Sequence, residues 1–194
     1  MGLIENLSAD FIQIGTTASE KDGVLREIAT LAKKSSLLDA YSVEDVFEAL
    51  KNREQLGTTA FGNGIALPHC SLDGIDDFVF GLVVAAEGVD FDSLDAEPTK
   101  VLAFIIGPTD KRNEHIQLLS GFSSILDDEA ALQELLSSHS AEALRESFLR
   151  RLKPSMPQAE REKCLVHVFV QYEEIFDEVL RICSGAVGGS IAVI

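Results

Sequence analysis

The chain has 194 residues, 46% of them hydrophobic and 25% charged, which suits one domain of ordinary size with a proper core and room for a small second module. Acidic side chains number 32 against 16 basic ones, and the resulting net charge of −16 excludes nucleic acid and an anionic membrane surface, both of which need a basic face. No stretch approaches the roughly 18 consecutive apolar residues of a membrane span, the first residues lack the pattern of a signal peptide, and three scattered cysteines (Cys70, Cys164, Cys183) suit a reduced, cytoplasmic setting.

Phe11, Ile12 and Ile14 read as a short strand. Ser19 with Asp22 then has the spacing of a helix N-cap, followed by Val24, Leu25, Ile28, Leu31 and Ala32 on one helical face. Ser42 with Asp45 repeats the capping pattern, and Val43, Val46, Phe47 and Leu50 form the buried stripe of a second helix ending near Arg53. The chain beyond His69 reads as a loop through Gly74. Phe78 to Ala86 and Val101 to Ile106 are apolar runs typical of strands covered on both faces, and Val89 with Phe91 suggests a brief strand around a turn. Asn113 is placed to cap a helix carrying His115 in its first turn and Ile116, Leu119, Phe122, Ile125 and Leu126 as its apolar positions. Two short helices follow, Glu129 to Leu136 and Ala141 to Leu152, the second capped by Ser140. This alternation predicts a layered α/β domain over residues 1–152.

Residues 153–163 hold two prolines and read as a linker. Residues 164–194 then carry a strand, a helix ending at Gly185 and the start of another strand. Such a βαβ segment buries too little surface to stand alone. It resembles half of a ferredoxin-like module, and its unpaired strands imply either a shortened chain or a homodimer.

The stretch from Arg53 to Cys70 concentrates the chemistry. Gly57, Gly62 and Gly64 leave backbone amides open to close approach, a common way to cradle an anion. Arg53 offers a planar fork of donors suited to phosphate, and His69 is the side chain here that is a neutral nucleophile near pH 7. Arg53-Glu54, Gly57-Thr58-Thr59 and Gly62-Asn63-Gly64-Ile65-Ala66-Leu67-Pro68-His69 together resemble the signature of phosphotransferase-system enzyme IIA domains of the fructose, mannitol and nitrogen-regulatory type. His115 opening a leucine-rich helix, and Gly88 to Asp95 before the Val101 strand, match the same family, so the likeness spans about residues 4–152.

The resemblance implies an α/β sandwich with a mixed sheet that carries a phosphoryl group on one histidine. It implies a histidine-containing phosphocarrier protein as donor and an enzyme IIB domain, or a regulatory protein, as acceptor. Carried over residue by residue, His69 is the nucleophile, His115 its active-site partner and Arg53 the phosphate-orienting cation. Thr58, Thr59, Gly62, Asn63 and Gly64 make up the expected phosphate-binding loop. Transfer between histidines needs no cofactor or metal, because its demands are positioning and electrostatic stabilisation. Three details depart from the family: Cys70 stands where a small residue is usual, Ala60-Phe61 replaces a common Gly-Ile pair, and Gly121-Phe122-Ser123 interrupts a usually more regular alanine-leucine run.

Bland roles compete with each assignment. His69 as an isolated residue is a turn histidine, Arg53 a solvated helix end, and Glu54 a local ion-pair partner for Arg53. His139 and His167 read as structural or solvent-exposed. Two other motifs fail on the residues themselves. A cysteine-phosphatase loop starting at His69-Cys70 needs an arginine where Asp76 stands, and a dinucleotide-binding turn needs a third glycine where Leu67 stands.

Overall fold

A computed structural model describes residues 7–126 and 128–151. The expected linker and βαβ segment, with Cys164, His167 and Cys183, lie outside the described residues. In chain order the elements are β1 (Ile12–Ile14), α1 (Lys21–Ala32), α2 (Val43–Gln55), β2 (Ala60–Gly62), β3 (Ile65–Ala66), β4 (His69–Leu72), β5 (Val79–Val89), β6 (Thr99–Pro108), α3 (Arg112–Leu126), α4 (Glu129–Leu136) and α5 (Ala141–Arg150).

The sheet runs β1-β5-β6-β3-β2, and β4 follows β3 along the same side of β6. It is mixed: β1 is parallel to β5, and β3 and β4 are parallel to β6, while β5/β6 and β2/β3 are antiparallel. The two central strands are apolar on both faces because both faces are covered. Along β6, Leu102, Phe104 and Ile106 pack with α1 and α2, whereas Val101, Ala103 and Ile105 pack with α3 to α5. The side-chain period of two thereby divides the core into two layers. Phe122 of α3 anchors the second layer, edge-on to Phe80 at 5.9 Å and tilted against Phe148 at 5.2 Å between ring centroids. Its truncation to alanine costs about 3–5 kcal/mol on general grounds.

The capping box on α2 is as the spacing predicts. Ser42 Oγ accepts the Asp45 N–H at 3.1 Å and Asp45 returns the bond to the Ser42 N–H at 2.7 Å. The caps on the last two helices are Asp128 and Ser140. Elsewhere the boundaries move for identifiable reasons. α1 starts at Lys21 with Glu20, not Ser19, as N-cap, because the Ser19 carbonyl accepts the Asp90 N–H at 3.0 Å and Glu20 bridges Asp90, which holds that segment extended. That bridge also replaces the brief strand expected around Phe91, since Val89 belongs to β5. α3 begins at Arg112, ahead of the expected cap at Asn113.

The largest correction follows His69. The expected loop is strand β4, paired with β6 in the register His69↔Ile105 to Leu72↔Pro108. Cys70 and Leu72 point into the α1/α2 layer while Ser71 is exposed. The alternation His-Cys-Ser-Leu carries this strand, and Cys70 is a small apolar core residue within it. Burial pushes its thiol up to about 12, far from the thiolate a nucleophile needs.

Candidate functional site

Three elements deliver the site. α2 closes at Leu56, whose N–H bonds back to the Arg53 and Glu54 carbonyls, and Gly57 follows at φ 150°, a left-handed conformation suited to glycine after a helix. This leaves Arg53 half-buried in the last turn, facing the start of β4. The chain between β3 and β4 runs through Leu67-Pro68, where proline supplies no N–H and interrupts the ladder. The Pro68 carbonyl accepts the Ile105 N–H at 3.1 Å, so pairing with β6 resumes as His69 is reached. α3 brings His115 in one turn from its start, with the His115 N–H on the Lys111 carbonyl at 3.1 Å.

The contacts of His69 define its protonation. Its Nδ1–H donates to the Leu67 carbonyl at 2.7 Å, and its Nε2 accepts from Arg53 Nε–H at 3.1 Å. A ring donating through Nδ1 and accepting at Nε2 is a neutral imidazole with its lone pair on Nε2. Arg53 Nη1 is held by the Gly57 carbonyl at 3.1 Å, while its Nη2 has no hydrogen-bond partner among the described residues. His115 lies edge-on to His69 with ring centroids 5.5 Å apart, packed against Phe78 at 5.7 Å. It is 7% exposed, its Nδ1 is 3.5 Å from Ser71 Oγ, and its Nε2 is buried without a partner among the described residues.

Electrostatics reinforce the geometry. The His69 pKa is lowered to about 4, by burial first, against the raising effect of the Leu67 carbonyl, and by the charge of Arg53 and the presence of His115. Burial, then Arg53, lowers that of His115 as well. Both rings are therefore neutral near pH 7, beside a permanent cation.

The structure thus brings together Arg53, His69 and His115. It places the other expected phosphate-loop residues differently. Asn63-Gly64, with φ of 57° and 74°, is the two-residue turn of the β2–β3 hairpin, where positive φ at both positions is required. The Asn63 N–H donates to the Asp95 carboxylate at 2.9 Å, and a Cβ added at Gly62 would lie 3.0 Å from that carboxylate. An anion of the protein's own therefore occupies this turn. Thr58 Oγ1 donates to the Phe91 carbonyl at 3.1 Å. Thr59 is buried and gives both its N–H and its hydroxyl to Glu54.

Glu54 also departs from expectation: its partners are Thr59 and, at 3.6 Å, Lys21, not Arg53. Sequence reasoning missed Ser71 and Phe78 beside His115, and the signal available for Ser71 was the strand alternation that sets it on the His69 face. His139 is exposed, as expected.

Fold and site together define a class, an α/β domain with a neutral histidine held against a guanidinium. Residues 5–150 match the family described as phosphoenolpyruvate-dependent sugar phosphotransferase system, EIIA 2, and the chain belongs to that family. A nitrogen regulatory protein from Pseudomonas aeruginosa is 36% identical over 131 residues, covering 68% of this chain and 84% of that protein. A fructose-specific EIIA component of the phosphotransferase system from Haloferax volcanii is 31% identical over 140 residues, 71% of this chain and 88% of that one. The crystal structure of the nitrogen regulatory protein IIA-Ntr from Neisseria meningitidis superposes with a TM-score of 0.69 at 28% identity, covering 75% of this chain and 98% of that one.

Proposed function

We propose that this chain is a phosphoryl carrier that takes a phosphoryl group onto His69 Nε2 and hands it on. The observation that carries the reading is the hydrogen-bond pair on His69. Nδ1–H is committed to the Leu67 carbonyl, and Nε2 presents its lone pair beside Arg53. In the transfer, Nε2 forms a bond to phosphorus as the donor's nitrogen–phosphorus bond breaks, and the donor histidine leaves as neutral imidazole. No proton need move when the donor ring carries a proton on its other nitrogen, because the Nδ1 proton stays on His69, hydrogen-bonded to the Leu67 carbonyl.

The transition state spreads charge over the equatorial phosphoryl oxygens. Arg53 Nη2, the unpartnered Nε2 of His115 and the N-terminal turn of α3 are the groups placed to receive it. Arg53 must give up its bond to Nε2 as phosphorus arrives, and its guanidinium then faces the incoming oxygens.

The donor is a histidine-containing phosphocarrier protein and the acceptor an enzyme IIB domain. The nitrogen regulatory relative, the more similar of the two sequences compared, supports a second reading in which the phosphorylated state is itself the signal to a protein partner. Incubation with phosphoenolpyruvate, enzyme I and the phosphocarrier protein yields an acid-labile phosphate on the wild-type chain. Equal labelling of His69→Ala would sink the assignment. Rapid discharge to an enzyme IIB domain points to transport, and a partner bound by one phospho-form only points to signalling.

The carrier domain is taken to end near residue 152, since the family match stops at residue 150. Its place of action is taken as the cytoplasm, and no helix among the described residues is long and apolar enough to cross a membrane. The segment 164–194 is taken to promote a homodimer. Light scattering on the chain with and without residues 158–194 tests this, and a monomer in both cases would overturn it.

A further inference from the structure

A buried carboxylate outside the three-residue site is connected to the nucleophile. Glu54 is 6% exposed and accepts both the N–H (3.0 Å) and the hydroxyl of Thr59. The Thr59 carbonyl accepts the Leu67 N–H at 3.2 Å, and the Leu67 carbonyl accepts His69 Nδ1–H at 2.7 Å. From the same residue, the Glu54 carbonyl accepts the Gly57 N–H at 3.1 Å, and the Gly57 carbonyl accepts Arg53 Nη1–H at 3.1 Å. One short hydrogen-bonded path therefore runs from the Glu54 carboxylate to the nucleophile, while the path to the cation starts at the Glu54 main-chain carbonyl and does not need the side chain. Lys21 holds the carboxylate in place from α1, at 3.6 Å from Glu54 and 3.0 Å from Asp92.

We infer that the Glu54 side chain is a positioning group that fixes the tautomer and direction of His69. A carboxylate suits the task because it accepts two donors at once and offers none. Removing it leaves the Thr59 N–H and hydroxyl buried without partners, so the 57–59 turn must rearrange to reach water. The Leu67 carbonyl then loses its fixed direction. Once Nδ1 lacks its acceptor, the proton is free to pass to Nε2, which blocks the lone pair that attacks phosphorus.

This inference rests on His69 as the nucleophile, but its test reads the ring directly. Long-range proton–nitrogen correlation spectra of the 15N-labelled full chain at pH 7 should show wild-type His69 protonated on Nδ1. Glu54→Ala should give a mixture containing the Nε2–H form. The rate of labelling by the phosphocarrier protein at saturation should fall about 100-fold, the cost of a misplaced reacting group. The carrier concentration for half-maximal rate should stay unchanged, because Glu54 is buried and cannot touch the donor. Should Glu54→Ala fail to fold, Glu54→Gln and Thr59→Val, which remove fewer bonds, should show the same changes at about tenfold in rate.

Leu144→Ala, a cavity in α5 on the opposite layer, serves as the control for lost stability. A His69 tautomer unchanged in a folded Glu54 variant, or changed equally by Leu144→Ala, would overturn the inference. A wild-type chain that takes no phosphate, with a tautomer that still shifts on Glu54 substitution, would overturn the carrier reading and leave the positioning role standing.

Discussion

Strand β3 has a turn at each end, and the two turns teach opposite lessons about anion binding. At one end Asn63-Gly64 has the glycines and open geometry that suggest a phosphate cradle, yet its amide is already given to Asp95. At the other end Leu67-Pro68-His69 contains no glycine, yet it borders a guanidinium nitrogen and an imidazole nitrogen that lack partners among the described residues. Backbone freedom makes a turn possible; spare donors beside a turn are what an anion needs. Glycine content is a poor guide to the second property.

Substitutions on the two turns should break the symmetry between them. His69→Ala should abolish phosphate labelling, whereas Asn63→Ala should label within about twofold of wild type and instead lose about 1–2 kcal/mol in chemical denaturation, the cost of a left-handed conformation. Arg53→Ala should slow labelling by about 10²–10³, the usual effect of removing one transition-state donor, with carrier binding retained. Unchanged stopped-flow kinetics would remove its role. Asp95→Asn should lower the thermal unfolding temperature slightly by weakening a charge-assisted bond to Asn63, with no change in labelling. A large loss of labelling in that variant would move the phosphate site to the hairpin.

Acid should sharpen the contrast. His69 titrates at about 4 when folded and near 6.5 when unfolded, so below pH 6.5 the unfolded chain takes up a proton that the folded chain refuses. Stability is fully present above about 6.5, falls as pH drops toward 4, and loses on the order of 3 kcal/mol across that window at 1.36 kcal/mol per pKa unit. Urea melts of His69→Gln should show a flatter acid limb than wild type. A limb of equal slope would mean that the ring is already charged in the fold.

Much of this architecture was legible in the sequence. Both central strands, the capping box at Ser42 and the helix from Glu129 to Leu136 follow from local patterns of burial and hydrogen bonding. The start of α1 was not, because the Asp90 contact that holds Ser19 and Glu20 extended is distant in sequence. Strand β4 was missed since four residues on a sheet edge give too short an alternation to stand out beside Pro68. The hairpin had its own signal in Asn-Gly, the strongest short indication of a type I′ turn, and a phosphate reading of the same glycines competed with it. Glu54 was seen as a partner for its chain neighbour; consecutive helix residues face different directions, and the pairing with Thr59 depends on how the next turn folds back.

The lowered basicity of His69 also bears on the return half of its cycle. An imidazole that binds a proton weakly is a better leaving group, so a phosphoryl group on Nε2 would be held loosely and released readily to the next nucleophile. Burial of this ring would thereby weaken the nitrogen–phosphorus bond. A more solvated histidine would make a slower donor, a storage point where a relay is needed.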